Sequence, residues 1–221
     1  MISPLSKRKR DRSFKLMCGH KLFKPTFQRI CTMGVTTYLR DAWKKPDKKV
    51  LRERMIEWRK GDTITKVEKP LRLDRARALG YKAKKGVSVV RVRIKRGGHK
   101  RTRPNKARRT KRLHIRKNLR MNYKEIAEQR VARKYRNVEV LNSYNIGKDG
   151  MHYFYEVILV DRAHPNIQND KELSFVTNPA NRGRAFRSLT SACKKARGHR
   201  ASHVKAPKAY PSLRANRRRG N

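Results

Sequence analysis

Carboxylates are what this chain lacks. Residues 75–124 contain none, while 21 of those fifty positions are Lys or Arg. From Leu173 to Asn221 there is again none, against 13 basic residues. Between the two, residues 125–172 hold 8 acidic and 7 basic side chains, the balance of an ordinary folding segment. The formal charge of +46, from 62 basic and 16 acidic residues, is therefore concentrated in two stretches. Ordinary surfaces intersperse the signs, so these runs are more than a solvated face. Their natural counter-charge is a polyanion, and the densest in a cell is a nucleic-acid backbone. The same scarcity speaks against a metal-dependent nuclease, which needs clustered Asp or Glu to hold its ions.

Other absences narrow the class further. There are only three cysteines, Cys18, Cys31 and Cys193. Their odd number and wide spacing give no disulfide framework. Cys18 and His20 form a single close pair, whereas structural zinc sites need paired ligands on both sides. No metal or cofactor is expected. The histidines lack a sequence-near carboxylate in a triad-like arrangement, and no phosphate-cradling glycine loop or dinucleotide fingerprint is present. These gaps argue against an enzyme and against a small-molecule substrate. Nowhere do eighteen apolar residues run together, so no membrane partner is expected. The start is basic, from Lys7 to Arg10, without an apolar run before a small-residue cleavage site, and the cytoplasm is the expected compartment.

Aromatic content of 7% is low for a single-strand platform built on base stacking. Zinc-finger spacing, a basic zipper and an RNA-recognition signature are all missing. What remains is backbone and shape recognition by Arg-rich arms, which suits folded RNA better than a smooth duplex. Hydrophobic content of 36% supports one modest core, with basic arms that bury too little to offset their ordering entropy.

The chain's periodicities place that core. Thr36 or Thr37 is positioned to cap a short helix through Tyr38, Leu39, Ala42 and Trp43, ended by Pro46. Asp47 sits at the next N-cap, with Leu51, Met55 and Trp58 at helical spacing and Gly61 just beyond. Asp74 is placed to cap one or two turns ending at Gly80. Residues 87–95 alternate: Val90, Val92 and Ile94 point one way, Arg91, Arg93 and Lys95 the other, predicting a strand with one apolar and one cationic face. Residues 99–120 show almost no apolar period and read as a loop that orders on binding. Asn122 with Glu125 predicts a capped helix through Val131 and Tyr135. Residues 138–146 and 151–160 predict a β-hairpin across Gly147–Gly150, with Gly150 available for positive φ.

In this setting a resemblance becomes visible. DRARALGYKAKKG (74–86) followed by VSVVRVRIKRGG (87–98) resembles the signature of the archaeal and eukaryotic large-subunit ribosomal protein family called "fifteen-e", here of the archaeal type. YLRDAWK (38–44), IAEQRVARKY (126–135), VLNSYNIGKDG (140–150), EVILVD (156–161) and RGRAFRSLTSACKKARG (182–198) follow the family in order. The resemblance covers nearly everything from Met33 to Gly198. Ser88 interrupts an apolar run, Asn145 stands where the family favours an aromatic, and Lys148 where it favours an acid. Ser188 and Cys193 stand where it favours glycine. Residues 1–32 have no counterpart.

The resemblance implies an α+β core, with a small mixed or antiparallel sheet flanked by helices and long basic extensions. It implies a non-enzymatic, rRNA-binding constituent of the large ribosomal subunit, with large-subunit rRNA and neighbouring ribosomal proteins as partners. A chromatin-type DNA-compacting protein is the alternative. The expected organisation is a basic extension at 1–32, disordered or outside the family core, and a helical segment at 33–73. An RNA-binding core at 74–176 includes a basic loop at 97–121, and a basic extension follows at 177–221. Candidate RNA contacts on the core are Arg75, Arg77, Lys82, Lys84, Lys85, Arg91, Arg93, Lys95 and Arg96. In the loop they are Lys100, Arg101, Arg103, Lys106, Arg108, Arg109, Lys111, Arg112, Arg116, Lys117 and Arg120. At the C-terminal side they are Arg182, Arg184, Arg187, Lys194, Lys195 and Arg197. Gly80, Gly86, Gly97, Gly98 and Gly183 are expected at close approaches or special φ.

Overall fold

Alternation of apolar side chains over 87–95 and the near-unbroken apolar run at 151–160 build one sheet. The computed structural model describes residues 34–100, 102–103, 107 and 115–200; the expectations for residues 1–32 and for 201–221 lie outside them. Four antiparallel strands pair in the order β1 (Ile64–Val67), β2 (Val87–Lys95), β6 (His152–Asp161) and β5 (Val138–Lys148). Two further strands, β3 (His99–Lys100) and β4 (Arg116–Lys117), pair with each other. The segment expected to be wholly irregular thus has an antiparallel pairing at its base.

Helices cover both faces. Val90, Val92 and Ile94 of β2, Tyr155, Val157 and Leu159 of β6 and Val140 of β5 share one buried cluster with Ala127 and Val131. Those last two come from α4 (Tyr123–Lys134). On the other face Phe154, Ile158 and Val160 of β6, with Tyr144 and Ile146 of β5, pack against Trp58 and Ala76. Trp58 belongs to α2 (Lys48–Lys60) and Ala76 to α3 (Leu73–Ala78). Strand β6 is therefore buried from both sides, which explains its near-continuous apolar sequence. Each fully buried Val, Leu, Ile or Phe contributes about 1.5–3 kcal/mol, so these clusters dominate the stability of the sheet. Strand β5 has bulges near Leu141 and Ile146. Across the first the alternation is reset, so Val138 and Val140 join the cluster on the α4 side while Tyr144 and Ile146, of the same parity, join the opposite one.

Chain signals set the helix ends, with some differences from expectation. Asp47 Oδ1 accepts from Lys49 N at 2.8 Å and starts α2, and Asn122 Oδ1 accepts from Glu125 N at 2.8 Å and starts α4. Helix α1 (Val35–Lys44) begins after Gly34 without a side-chain cap, so neither Thr36 nor Thr37 serves. Asp74 is not the cap of α3 either. Arg72 is, and Asp74 lies buried in the first turn, paired with the Arg72 guanidinium at 3.2 Å. Two short helices, α5 (Pro165–Gln168) and α6 (Ser191–Ala196), complete the element order with two 3-10 turns between them.

Positive φ falls at Gly80, Gly86, Gly97 and Gly183, but neither Gly98 nor Gly150 has it. Gly86 shows the need most clearly: at φ +90 a Cβ would lie 2.8 Å from Ile167 Cγ1. The hairpin turn instead closes on Asp149, whose Oδ1 accepts from the Met151 N–H at 2.8 Å and from that of His152.

Candidate nucleic-acid interface

The fold takes much of the chain's small supply of acid inside. Among the described residues six carboxylates are buried: Asp74, Glu125, Glu128, Glu139, Glu156 and Asp170. Each buried charge needs partners, and the partners here are structural. Glu128 on α4 accepts from Ser143 Oγ and Thr190 Oγ1, both at 2.6 Å, tying helix to sheet and to the start of α6. Glu156, central on β6, accepts from Tyr144 Oη at 2.5 Å and from the Leu71 N–H at 3.2 Å. Burial pushes both carboxyls up from their ordinary range. Glu139 accepts from the Gly183 N–H at 2.9 Å. Asp170 holds Lys82 at 3.1 Å and Lys84, which with the Glu172 N–H keeps its carboxyl well below the usual range. Inward-turned acid leaves an exterior more cationic than composition alone implies.

The sequence-selected cations divide by what they touch. Arg75, Arg77, Lys85, Lys95, Arg96, Arg103, Arg120, Arg182, Arg187, Lys194 and Lys195 are exposed, and Arg197 is half-buried. Lys82 and Lys84 are held by Asp170, and Lys82 also by Glu172 at 2.8 Å, so their charge is largely neutralised within the chain. Three arginines are drawn into the fold. Arg91 lies half-buried over the Trp58 ring at 5.1 Å, opposite Glu156 in the strand register. Arg93 donates to the carbonyls of Trp58 and Arg59, the last turn of α2, where a cation complements the helix dipole. Arg184 is buried and donates to the Val140 and Leu141 carbonyls, at 3.2 and 3.4 Å.

So the expectation of a free cationic face on residues 91–95 holds only for Lys95. Helix α2 covers the rest, because Val87 and Val89 share that face and need burial too. The side chains of Lys100, Arg101, Lys106, Arg108, Arg109, Lys111, Arg112, Arg116 and Lys117 lie outside the described ones.

An aromatic row runs beside the exposed cations. The Tyr123 and Tyr153 rings lie 4.7 Å apart, Tyr153 and Tyr155 6.1 Å apart, and Arg96 stacks over Tyr153 at 5.1 Å. Tyr123 Oη accepts from the Gly97 N–H at 3.0 Å, fixing the chain where it leaves β2. Among the described residues no group of His, Cys, Asp or Glu is placed to hold a metal ion, and no helix is long and apolar enough to cross a membrane. Cys193 is buried, and that burial pushes its thiol up to about 12. It is a packing residue.

Comparison with known proteins now bears on this cationic, acid-poor exterior. The family model described as Ribosomal L15 matches residues 34–216. The chain belongs to this family. It is 49% identical over 189 residues to the large ribosomal subunit protein eL15 of Methanocella arvoryzae, spanning 83% of this chain and 96% of that relative. It is 50% identical over 193 residues to the protein of the same name from Methanospirillum hungatei, spanning 85% and 98%. Neither relative supports the DNA-compacting alternative.

For this Ribosomal L15 member, the candidate contacts drawn from the sequence left out two cations that lie inside its acid-free stretches. Lys124, the last residue before Glu125, and Arg200, near the end of the described chain, both line a pocket beside α4 and α6. Whole-chain aromatic content also hid the tyrosine row. The signal was present in Tyr153 and Tyr155, whose spacing of two places both on one face of β6.

Proposed function

We propose that this chain is a structural constituent of the large ribosomal subunit, binding and stabilising folded large-subunit rRNA and acting without catalysis of its own. The observation that carries the reading is the inward placement of its carboxylates, which leaves exposed Lys and Arg with little internal neutralisation. Lys and Arg release counterions from closely packed phosphates, and the released ions drive association. Contacts to phosphate fix position and orientation without reading bases, which suits a protein that stabilises a single fold of one RNA. The contacts are assigned to Arg75, Arg77, Lys85, Lys95, Arg96, Arg103, Arg120, Arg182, Arg187, Lys194, Lys195 and Arg197. The basic residues of 97–121 and of the C-terminal extension act with them. Arg91, Arg93 and Arg184 instead hold the scaffold.

The working place is the cytoplasmic large subunit, with neighbouring ribosomal proteins as partners. Residues 1–32 precede the family match and are assigned no part in the contact.

The test is competition at fixed salt between structured large-subunit rRNA and duplex DNA of equal length. The full chain is expected to prefer the rRNA. Equal affinity for both would return the reading to a general polyanion binder.

A further inference from the structure

Between the start of α4 and α6 lies a pocket of about 250 Å³, whose lining includes Asn122, Tyr123, Lys124, Tyr155, Lys195 and Arg200. Among the described residues no carboxylate lines it. Lys124 is half-buried there, and its side chain forms no hydrogen bond or ion pair among the described residues. Burial, then the nearby charge of Arg75, and after it that of Lys195 and Arg200, all disfavour its ammonium, while Glu128 favours it. Both oxygens of Glu128 are already occupied by Ser143 and Thr190. Arg200 donates one guanidinium N–H to Ser191 Oγ at 2.8 Å, which leaves other donors of its fork unspent.

Like charges gathered in a cavity repel one another, and a half-buried cation also loses hydration. A fold that gathers half-buried Lys124 with the exposed Lys195 and Arg200 around a space lined by no carboxylate among the described residues is arranged for an anion from outside. The first residues of α4 line the same space, so the positive end of its dipole adds to the field.

We infer that this pocket seats a backbone phosphate of the bound RNA, with Lys124 at its floor and Lys195 and Arg200 at its walls. The tyrosine row leading away through Tyr123 and Tyr153 gives the flanking nucleotide an aromatic surface beside the phosphate. The inference rests on the RNA-binding reading above and narrows it to one place.

Lysine-reactivity footprinting of the full-length chain tests it, with large-subunit rRNA absent or present and each lysine quantified by mass spectrometry. RNA is expected to reduce the labelling of Lys124 and Lys195 at least about tenfold. Protection of other lysines while these two stay reactive would overturn the pocket and leave RNA binding intact. Protection of no lysine would overturn both. Inorganic phosphate alone protecting the pair as fully as RNA would reassign the pocket to a free anion. In a salt titration of rRNA binding, Lys124→Gln should lower the slope by about 0.7–0.9, one phosphate contact. An unchanged slope overturns the assignment. Thermal unfolding of the variant confirms that the fold compared is the same.

Discussion

Replacing Glu128 tests whether the buried acids hold this fold together. Its carboxylate is fully buried and accepts from Ser143 Oγ and Thr190 Oγ1, both at 2.6 Å. Thr190 in turn caps α6 by accepting from the Cys193 N–H at 3.4 Å. Glu128→Ala strands two buried hydroxyls, each costing about 1–3 kcal/mol when left unsatisfied. A net loss of about 2–4 kcal/mol follows, or about 5–15 °C in Tm at the 2–4 °C per kcal/mol of a domain this size. Glu128→Gln keeps an acceptor for one hydroxyl, and its amide can donate to the other, whose oxygen accepts equally well. It also removes a charge whose burial is unfavourable. It is therefore expected within about 1 kcal/mol of the parent.

The pH dependence separates the two effects. Burial raises the Glu128 carboxyl in the folded state, so the fold binds that proton more tightly than the unfolded chain does. The stability this contributes is fully present below the unfolded value and is lost as pH rises through the folded one. Glu125 and Glu156, also raised by burial, act with the same sign. The parent should thus gain on acidification relative to Glu128→Gln, by thermal unfolding at several pH values between 4 and 8. A Glu128→Ala protein as stable as the parent would refute the reasoning, as would Glu128→Gln matching the loss of Glu128→Ala.

Three further substitutions address strand β2 and the turn before α6. Arg91→Gln removes the stacking on Trp58 and the cation facing Glu156, and is expected to cost about 1–2 kcal/mol. Lys95→Gln on the same strand should stay within about 0.5 kcal/mol. Equal effects in denaturant unfolding would show that α2 does not cover this face. Ser188 adopts φ +62, a conformation that disfavours side chains, so Ser188→Gly should raise stability by about 0.5–1 kcal/mol after the extra entropy of the unfolded glycine. A lower denaturation midpoint would mean that the serine side chain contributes more than its backbone strain removes.

Much of the fold was legible because period and capping act locally. Asp47 and Asn122 announce their helices, and the alternation of Val90, Val92 and Ile94 announces the face that α4 covers. The positive φ of Ser188 was not anticipated, although the family favours glycine there; Cys193, the other such position, is helical. What could not be read was tertiary. Period two places Arg91 and Arg93 opposite the apolar face, but nothing along the strand says that a second layer of helix lies over them. Lacking that layer, a sequence reader takes a cationic face for a solvated one. The bulge of β5 near Leu141 hides in the same way, since Val138, Val140, Tyr144 and Ile146 read along the sequence as one alternating face.

The candidate interface follows the same logic at larger scale. Charge blocks mark the segments proposed to meet a polyanion, because a run without acid has no internal neutraliser near in sequence. They do not identify which cations remain free, since neutralisers can come from far along the chain. Lys82 meets Asp170 across 88 positions, and Arg184 reaches the carbonyls of β5 across more than forty. Conversely, Lys124 sits one position before Glu125 and one turn before Glu128, yet both of those acids are buried. Its ammonium is left among Arg75, Lys195 and Arg200. Linear charge density selects the segments, and the direction in which each carboxylate is folded decides which of their cations are left for RNA.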